Sequence, residues 1–108
     1  MDGDWTDAGA LDDLPEGKGR RVMLGDEPVA IVRLGDRVSA LADTCTHQGA
    51  MLHAGAVRTA APPSITCPFH GSVFSLEDGR VLRGPATRPV ATYEVRLEDG
   101  HVFLRAEG

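Results

Sequence analysis

The sequence predicts an all-β domain built from small antiparallel sheets. Three observations carry this. The 108 residues include 13 Gly and 7 Pro, a density of turn formers that suits short strands joined by tight turns better than a helical bundle. Residues 90–97 alternate: Ala91, Tyr93, Val95 and Leu97 are apolar, while Thr92, Glu94 and Arg96 between them are polar, the period of a half-buried strand. Two Asp-Gly pairs, Asp78-Gly79 and Asp99-Gly100, each sit between apolar runs. Such pairs favour hairpins, because type I′ turns need positive φ at both central residues.

Taken in order, the elements are these. Asp7 to Leu14 has room for one helical turn, ended by Pro15-Glu16-Gly17. Val29-Ala30-Ile31-Val32-Arg33-Leu34 reads as a strand, turned by Gly35-Asp36 into Val38-Ser39-Ala40-Leu41. Residues 72–76 form a short strand that Asp78-Gly79 returns into Arg80-Val81-Leu82. The alternating strand at 90–97 returns through Asp99-Gly100 into His101-Val102-Phe103-Leu104. There is no internal repeat, linker or low-complexity tract, so residues 1–108 read as one domain.

Composition narrows the function classes. Apolar residues make up 42% and charged residues 25%, an ordinary globular mix that argues against disorder. Aromatics are only 5%, so the core must rest on Val, Leu, Ile and Ala. A formal charge of −5 argues against nucleic acid as the partner and permits docking on a basic protein surface. No apolar run nears the ~18 residues of a membrane span, and the acidic start Met1-Asp2-Gly3-Asp4 is unlike a signal peptide. The expectation is a cytoplasmic protein with no membrane partner. In that reducing setting the two cysteines, Cys45 and Cys67, are better read as free thiols or metal ligands than as a disulfide.

The segment from Asp43 to Gly71 breaks the strand pattern and gathers Gly, Pro, His, Thr and Cys. Long loops in a compact domain are usually functional. This one opens with Cys45-Thr46-His47 and closes with Cys67-Pro68-Phe69-His70. In an extended Cys-x-His both side chains reach the same side. In Cys-x-x-His a turn brings positions i and i+3 together, and Pro68 presets φ for it. Two facing loops would thus offer two thiolates and two imidazoles, a set that suits zinc or an iron–sulfur cluster. Buried cysteines acting as small hydrophobes are the bland alternative. Zinc sites more often pair like with like, as C-x₂₋₄-C and H-x₃₋₅-H, whereas each half here is mixed. A zinc-stabilised binding module therefore stays open as an alternative.

The double motif, Cys-Thr-His and Cys-Pro-x-His-Gly, resembles that of the Rieske [2Fe–2S] proteins. The resemblance extends through Phe74-Ser75-Leu76-Glu77-Asp78-Gly79-Arg80-Val81-Leu82, through Gly84-Pro85-Ala86, which is similar to the proline loop covering the cluster, and through two closing strands. Upstream, Leu14-Pro15-Glu16-Gly17 and Ala30-Ile31-Val32-Arg33 fit the opening strands. It implies a fold of small antiparallel sheets with an inserted two-loop cluster-binding subdomain, about residues 43–86. It implies a Rieske-type [2Fe–2S] cluster on Cys45, His47, Cys67 and His70, with Ser72 and Pro85 beside it.

Two departures point to a branch. Respiratory and photosynthetic members carry an extra cysteine in each loop, joined as a disulfide; Ala50 and Phe69 stand there in this chain. The chain therefore resembles the soluble Rieske-type ferredoxins of bacterial aromatic-ring dioxygenase systems. Ser72 matches a serine donor of high-potential members, but Phe74 stands where they have tyrosine. Residues 58–64 read as an extra loop excursion. The implied role is a one-electron carrier, not an enzyme by itself, between a flavin-dependent NAD(P)H reductase and a terminal oxygenase. A Rieske-like small subunit of a nitrite reductase is the alternative of a different class; some of those lack the ligands. Neutral imidazoles in place of two thiolates make the cluster less negative and raise its potential. The missing tyrosine donor places the expected potential in the lower part of the Rieske range. His53 and His101 fall outside the ligand spacing and read as ordinary surface or loop histidines. Lys18-Gly19-Arg20-Arg21 reads as a solvated strand edge, and Trp5 as either core anchor or docking residue.

Overall fold

The computed structural model describes residues 5–46, 49–69 and 71–106. Among them, ten strands form three antiparallel sheets. β1 (Thr6–Ala10), β9 (Tyr93–Glu98) and β10 (His101–Ala106) form the first, in the order β1-β10-β9. β2 (Gly19–Leu24), β3 (Glu27–Leu34) and β4 (Arg37–Ala42) form the second in chain order. β5 (Ala56–Arg58), β6 (Ser64–Thr66), β7 (Val73–Ser75) and β8 (Val81–Arg83) form the third, also in chain order. No helix among the described residues is long and apolar enough to cross a membrane.

β3 is the hinge of the packing. Val29, Ala30, Ile31 and Val32 are fully buried, as expected of a central strand covered on both faces. Val29 and Ile31 point into one core with Leu14, Ala40, Val102 and Leu104. Val32 points into a second core with Leu41, Cys45, Leu52, Ile65, Cys67 and Phe74. Each fully buried aliphatic contributes about 1.5–3 kcal/mol. The first core joins the first two sheets into a base. The second joins that base to the third sheet. The base is also closed by backbone: the Ala42 amide donates to the Ala91 carbonyl at 2.8 Å, and Leu41 bridges Thr92. The chain leaves the base at the end of β4 and returns at β9, so everything between is an excursion.

The expected hairpins form, with local differences: the strand expected from residue 90 begins at Tyr93, Ala91 and Leu97 of its apolar set are exposed, and β5 and β6 lie inside the segment 43–71 expected to break the strand pattern. The helical turn expected within residues 7–14 is confined to a 3₁₀ turn at Leu11–Asp13. Residues before it are strand instead, paired with β10 across a bulge between Asp7 and Ala10. Gly9 takes φ 110° there, and its amide donates to Asp7 Oδ1 at 2.8 Å. A sheet edge with open backbone groups outweighs the weak helix preference of Asp and Gly. The two Asp-Gly pairs also differ. Asp99 and Gly100 have φ 54° and 77°, as a type I′ hairpin requires, whereas at the other pair only Gly79 is positive. A Cβ at Gly79 would run into the Val90 carbonyl oxygen, so that turn is set by close approach as well as by φ.

Tyr93 ties β9 to the start of β3 by donating to Glu27 Oε1 at 2.8 Å. Burial and the neighbouring Glu27 carboxylate push its phenol from 10.0 up to about 12. The folded chain therefore holds this proton more tightly than the unfolded one. Its contribution to stability is intact below pH 10 and is lost as pH rises toward 12. Tyr93→Phe is expected to lose less stability than the parent over that alkaline window, read by urea unfolding at stepped pH. Tyr93 is the sole tyrosine, so ultraviolet difference absorbance reads its ionisation directly. A midpoint at 10 would show that the phenol does not feel Glu27.

Candidate metal centre

Cys45 and Cys67 each open a six-residue loop, and the two loops are built alike. The Cys45 amide donates to the Ala50 carbonyl at 2.9 Å, and the Gly49 amide donates back to the Cys45 carbonyl at 2.9 Å. In the second loop the Cys67 amide donates to the Ser72 carbonyl at 2.7 Å, and the Gly71 amide donates to the Cys67 carbonyl at 3.3 Å. Gly49 and Gly71 have φ 73° and 78°, a left-handed conformation that glycine adopts without Cβ strain. The Cys-x-x-x-Gly spacing is thus used twice, a repeat visible in the sequence but overshadowed there by the histidine spacings.

Both cysteines are free, buried to 2% exposure, and members of one core cluster. The first loop leaves the base after β4. The second is the tip of the β6–β7 hairpin. Their feet are held close by Gly55, where a Cβ would overlap the Thr66 carbonyl oxygen. β8 brings in a third loop: the Ala86 amide donates to Ser72 Oγ at 2.9 Å, and Thr46 Oγ1 donates to the Arg88 carbonyl at 2.7 Å. Residues 84–88 are thereby pinned to both cysteine loops, with Pro85 on their exposed side.

The donor chemistry fits an iron–sulfur group. Two buried thiols facing one cluster of side chains are soft ligands. Ser72 is fully buried, and its hydroxyl accepts from Ala86 while no acceptor for its own proton stands among the described residues. A buried donor without an acceptor is costly, and a ligand sulfur would relieve it. Phe74 is fully buried in the same cluster as both cysteines and brings no hydroxyl. His47, Gln48 and His70 lie outside the described residues. Of the loop expected at 58–64, residues 59–63 form the β5–β6 connection while Arg58 and Ser64 are the paired ends of β5 and β6, away from the cysteines along both strands.

One part of the site gave no sequence signal. Asp43, two residues before Cys45, is completely buried. Its Oδ1 accepts the His53 amide at 2.6 Å, and its Oδ2 contacts His53 Nδ1 at 2.7 Å and Arg21 Nε at 2.9 Å. Its backbone is fixed too: the amide donates to Pro28 at 3.0 Å and the carbonyl accepts from Leu52 at 3.3 Å. His53 is therefore not an ordinary surface histidine. It belongs to the clamp at the root of the first loop. His101 is exposed, as expected, beside Asp7. Trp5 lies under the Arg105 guanidinium at 4.3 Å, on the outer face of the first sheet.

Comparison with known protein families matches residues 4–94 to the Rieske [2Fe-2S] domain. The chain belongs to this family. The group that a Rieske domain holds is a Rieske-type [2Fe–2S] cluster. This Rieske protein is 38% identical over 104 residues to ferredoxin CarAc of Metapseudomonas resinovorans, covering 95% of this chain and 94% of that one. It superposes with TM-score 0.87 and 36% identity on a chain of the complex of reduced oxygenase and oxidized ferredoxin in carbazole 1,9a-dioxygenase, covering 96% and 94% of the two chains. It is also similar to a protein described as the NADH-dependent nitrite reductase small subunit of Mycobacterium tuberculosis, with TM-score 0.86, 30% identity and 96% coverage of each. The fold is shared by both functional classes, so the ligand residues must separate them.

Proposed function

We propose that this Rieske protein is a cytoplasmic one-electron carrier that takes an electron from a flavin-dependent NAD(P)H reductase and delivers it to a terminal oxygenase. The observation that carries this is the pair of equivalent loops, each with a buried free cysteine at its foot and a histidine in its sequence. Similarity to the ferredoxin CarAc over nearly the whole chain supports the carrier role. Similarity to a chain from an oxygenase–ferredoxin complex supports an oxygenase as acceptor.

In this reading Cys45 and Cys67 hold one iron and His47 and His70 the other. The cluster, when bound, supplies a reversible one-electron couple. The protein's part is to hold it, tune it and expose it. The buried cysteine feet exclude water from the thiolate side. Ser72 offers its hydroxyl proton to a sulfur, and the pinned Pro85 loop covers the site. The subdomain that does this spans about residues 43–86. With four protein ligands the metal keeps no open position for a substrate, so oxidation of the pathway substrate belongs to the partner.

The nitrite reductase small-subunit reading differs in one respect that matters here: a ligand-free member needs none of these four side chains, and this chain has all four. Aerobically purified protein is expected to be coloured, with about two irons and two acid-labile sulfides per chain, and to bleach reversibly when NADH and a flavin reductase are added. A colourless protein loaded with zinc, or a cluster that the reductase cannot reduce, would overturn the proposal.

A further inference from the structure

The formal charge of −5 hides a strong asymmetry. Residues 44–91, the excursion that carries both cysteine loops, hold four arginines (Arg58, Arg80, Arg83 and Arg88) against two acids (Glu77 and Asp78), a formal +2. The base therefore carries −7. The two acids are at the β7–β8 turn, where Asp78 is paired with Arg80 at 2.9 Å, at the end of β8 opposite the cysteine loops. The end that bears the loops has Arg83 and Arg88. Arg83 closes β8 beside Val73, and the Arg88 carbonyl accepts from Thr46. Both are exposed, and neither has an acidic partner among the described residues. Elsewhere Arg21, Arg80, Arg96 and Arg105 are each paired with a carboxylate. The same end exposes two large apolar side chains, Phe69 in the second cysteine loop, 68% exposed, and Met51 just after the first, 50% exposed.

We infer that the electron-transfer face is locally cationic, joining the apolar Phe69 and Met51 to Arg83 and Arg88, and that it selects protein partners whose docking site presents carboxylates beside an apolar seat. This rests on the carrier reading above and deepens it. It also reverses the expectation drawn from net charge, which pointed to a basic partner. The physical reason is screening. At 0.1 M salt the Debye length is about 10 Å. Asp36 and Glu16 lie at the Arg37 end of β4, about 20 Å of extended strand from Cys45, while Asp26 and Glu27 in the β2–β3 turn lie at its Ala42 end, nearer the first loop. The field of the distant base acids is thus damped by about two Debye lengths at the face, Asp26 and Glu27 act from the side of the first loop, and Arg83 and Arg88 act from segments bonded to the cysteine loops themselves. Sign at close range belongs to the arginines.

The test uses small redox probes as stand-ins for partner charge. The reduced holoprotein is oxidised by ferricyanide or by tris(phenanthroline)cobalt(III) in a stopped-flow mixer at 0.1 M ionic strength. Arg83→Glu/Arg88→Glu is expected to slow ferricyanide about tenfold and to speed the cobalt cation. Lys18→Glu/Arg37→Glu makes the same change in net charge at the far end and should alter either rate less than twofold. Equal effects from the two pairs, or no effect from either, would overturn the inference and leave the carrier reading intact. The visible spectrum keeps the two failures apart: a parent that assembles no cluster sinks the carrier reading and this inference with it. A variant that lost its cluster would be replaced by Arg83→Gln/Arg88→Gln, expected to slow ferricyanide about threefold.

Discussion

Cys67→Ser, Cys45→Ser, His47→Ala and His70→Ala are each expected to yield protein with close to no iron, no acid-labile sulfide and no visible colour. The two cysteines sit at the feet of their loops, buried and without a disulfide, so the fold presents no spare thiol to take over. In the proposed ligand set a missing imidazole would leave one iron a ligand short, and such a cluster is expected to be lost during purification. Because the apoprotein lacks a cofactor that binds only the native state, each variant should also melt well below the parent. His101→Ala is the control. It removes an exposed histidine on β10, next to Asp7, and should keep full colour. A coloured His47→Ala or His70→Ala protein would show that the ligand set is wrong.

Much of this site is legible in the sequence. The hairpin at residues 29–41 follows from an apolar run and the Gly35-Asp36 turn, and that at 90–104 from alternation and the Asp99-Gly100 turn, because register and face in an antiparallel sheet are local consequences of the pattern. The proposed ligand pairs rest on spacing, and the described residues show their cysteine halves as two buried, free thiols at the feet of like-built loops. What stays hidden has a common cause: it depends on contacts between distant segments. β1 reads weakly because Asp7 and Gly9 oppose a strand, and only the open edge of β10 recruits it. β5 and β6 are three residues each, too short for a period to show. The charge asymmetry is countable from the sequence, yet it has no meaning until the fold places residues 44–91 at one end. Asp43 is hidden most completely. An acidic residue between an apolar strand and a loop reads as solvent-facing, since a lone aspartate is rarely buried without partners. Its partners, Arg21 and His53, come from β2 and from the 3₁₀ turn at Leu52–Ala54, and nothing local announces them.

That buried carboxylate leads to the other large effect. Asp43→Ala is expected to destabilise the protein by about 2–4 kcal/mol, from the lost hydrogen bonds to a charged group and the buried His53 amide left without an acceptor. For a chain of this size the melting temperature should fall by roughly 10 °C or more. The side chain accepts from the His53 amide and meets two cationic or protonatable groups on its other oxygen. Its loss therefore leaves the His53 amide without its acceptor, while the Arg21 guanidinium, 41% exposed, turns to solvent. The Cys45 loop begins two residues later, so the clamp that fixes its root would be gone. Asp43→Asn keeps an acceptor for the His53 amide and loses the charge, and should fall between the parent and Asp43→Ala. Thermal melts of the holoproteins, with iron content measured on each, check the order. If Asp43→Ala melted within about 3 °C of the parent, the Arg21–Asp43–His53 contacts would not be what holds the first loop in place.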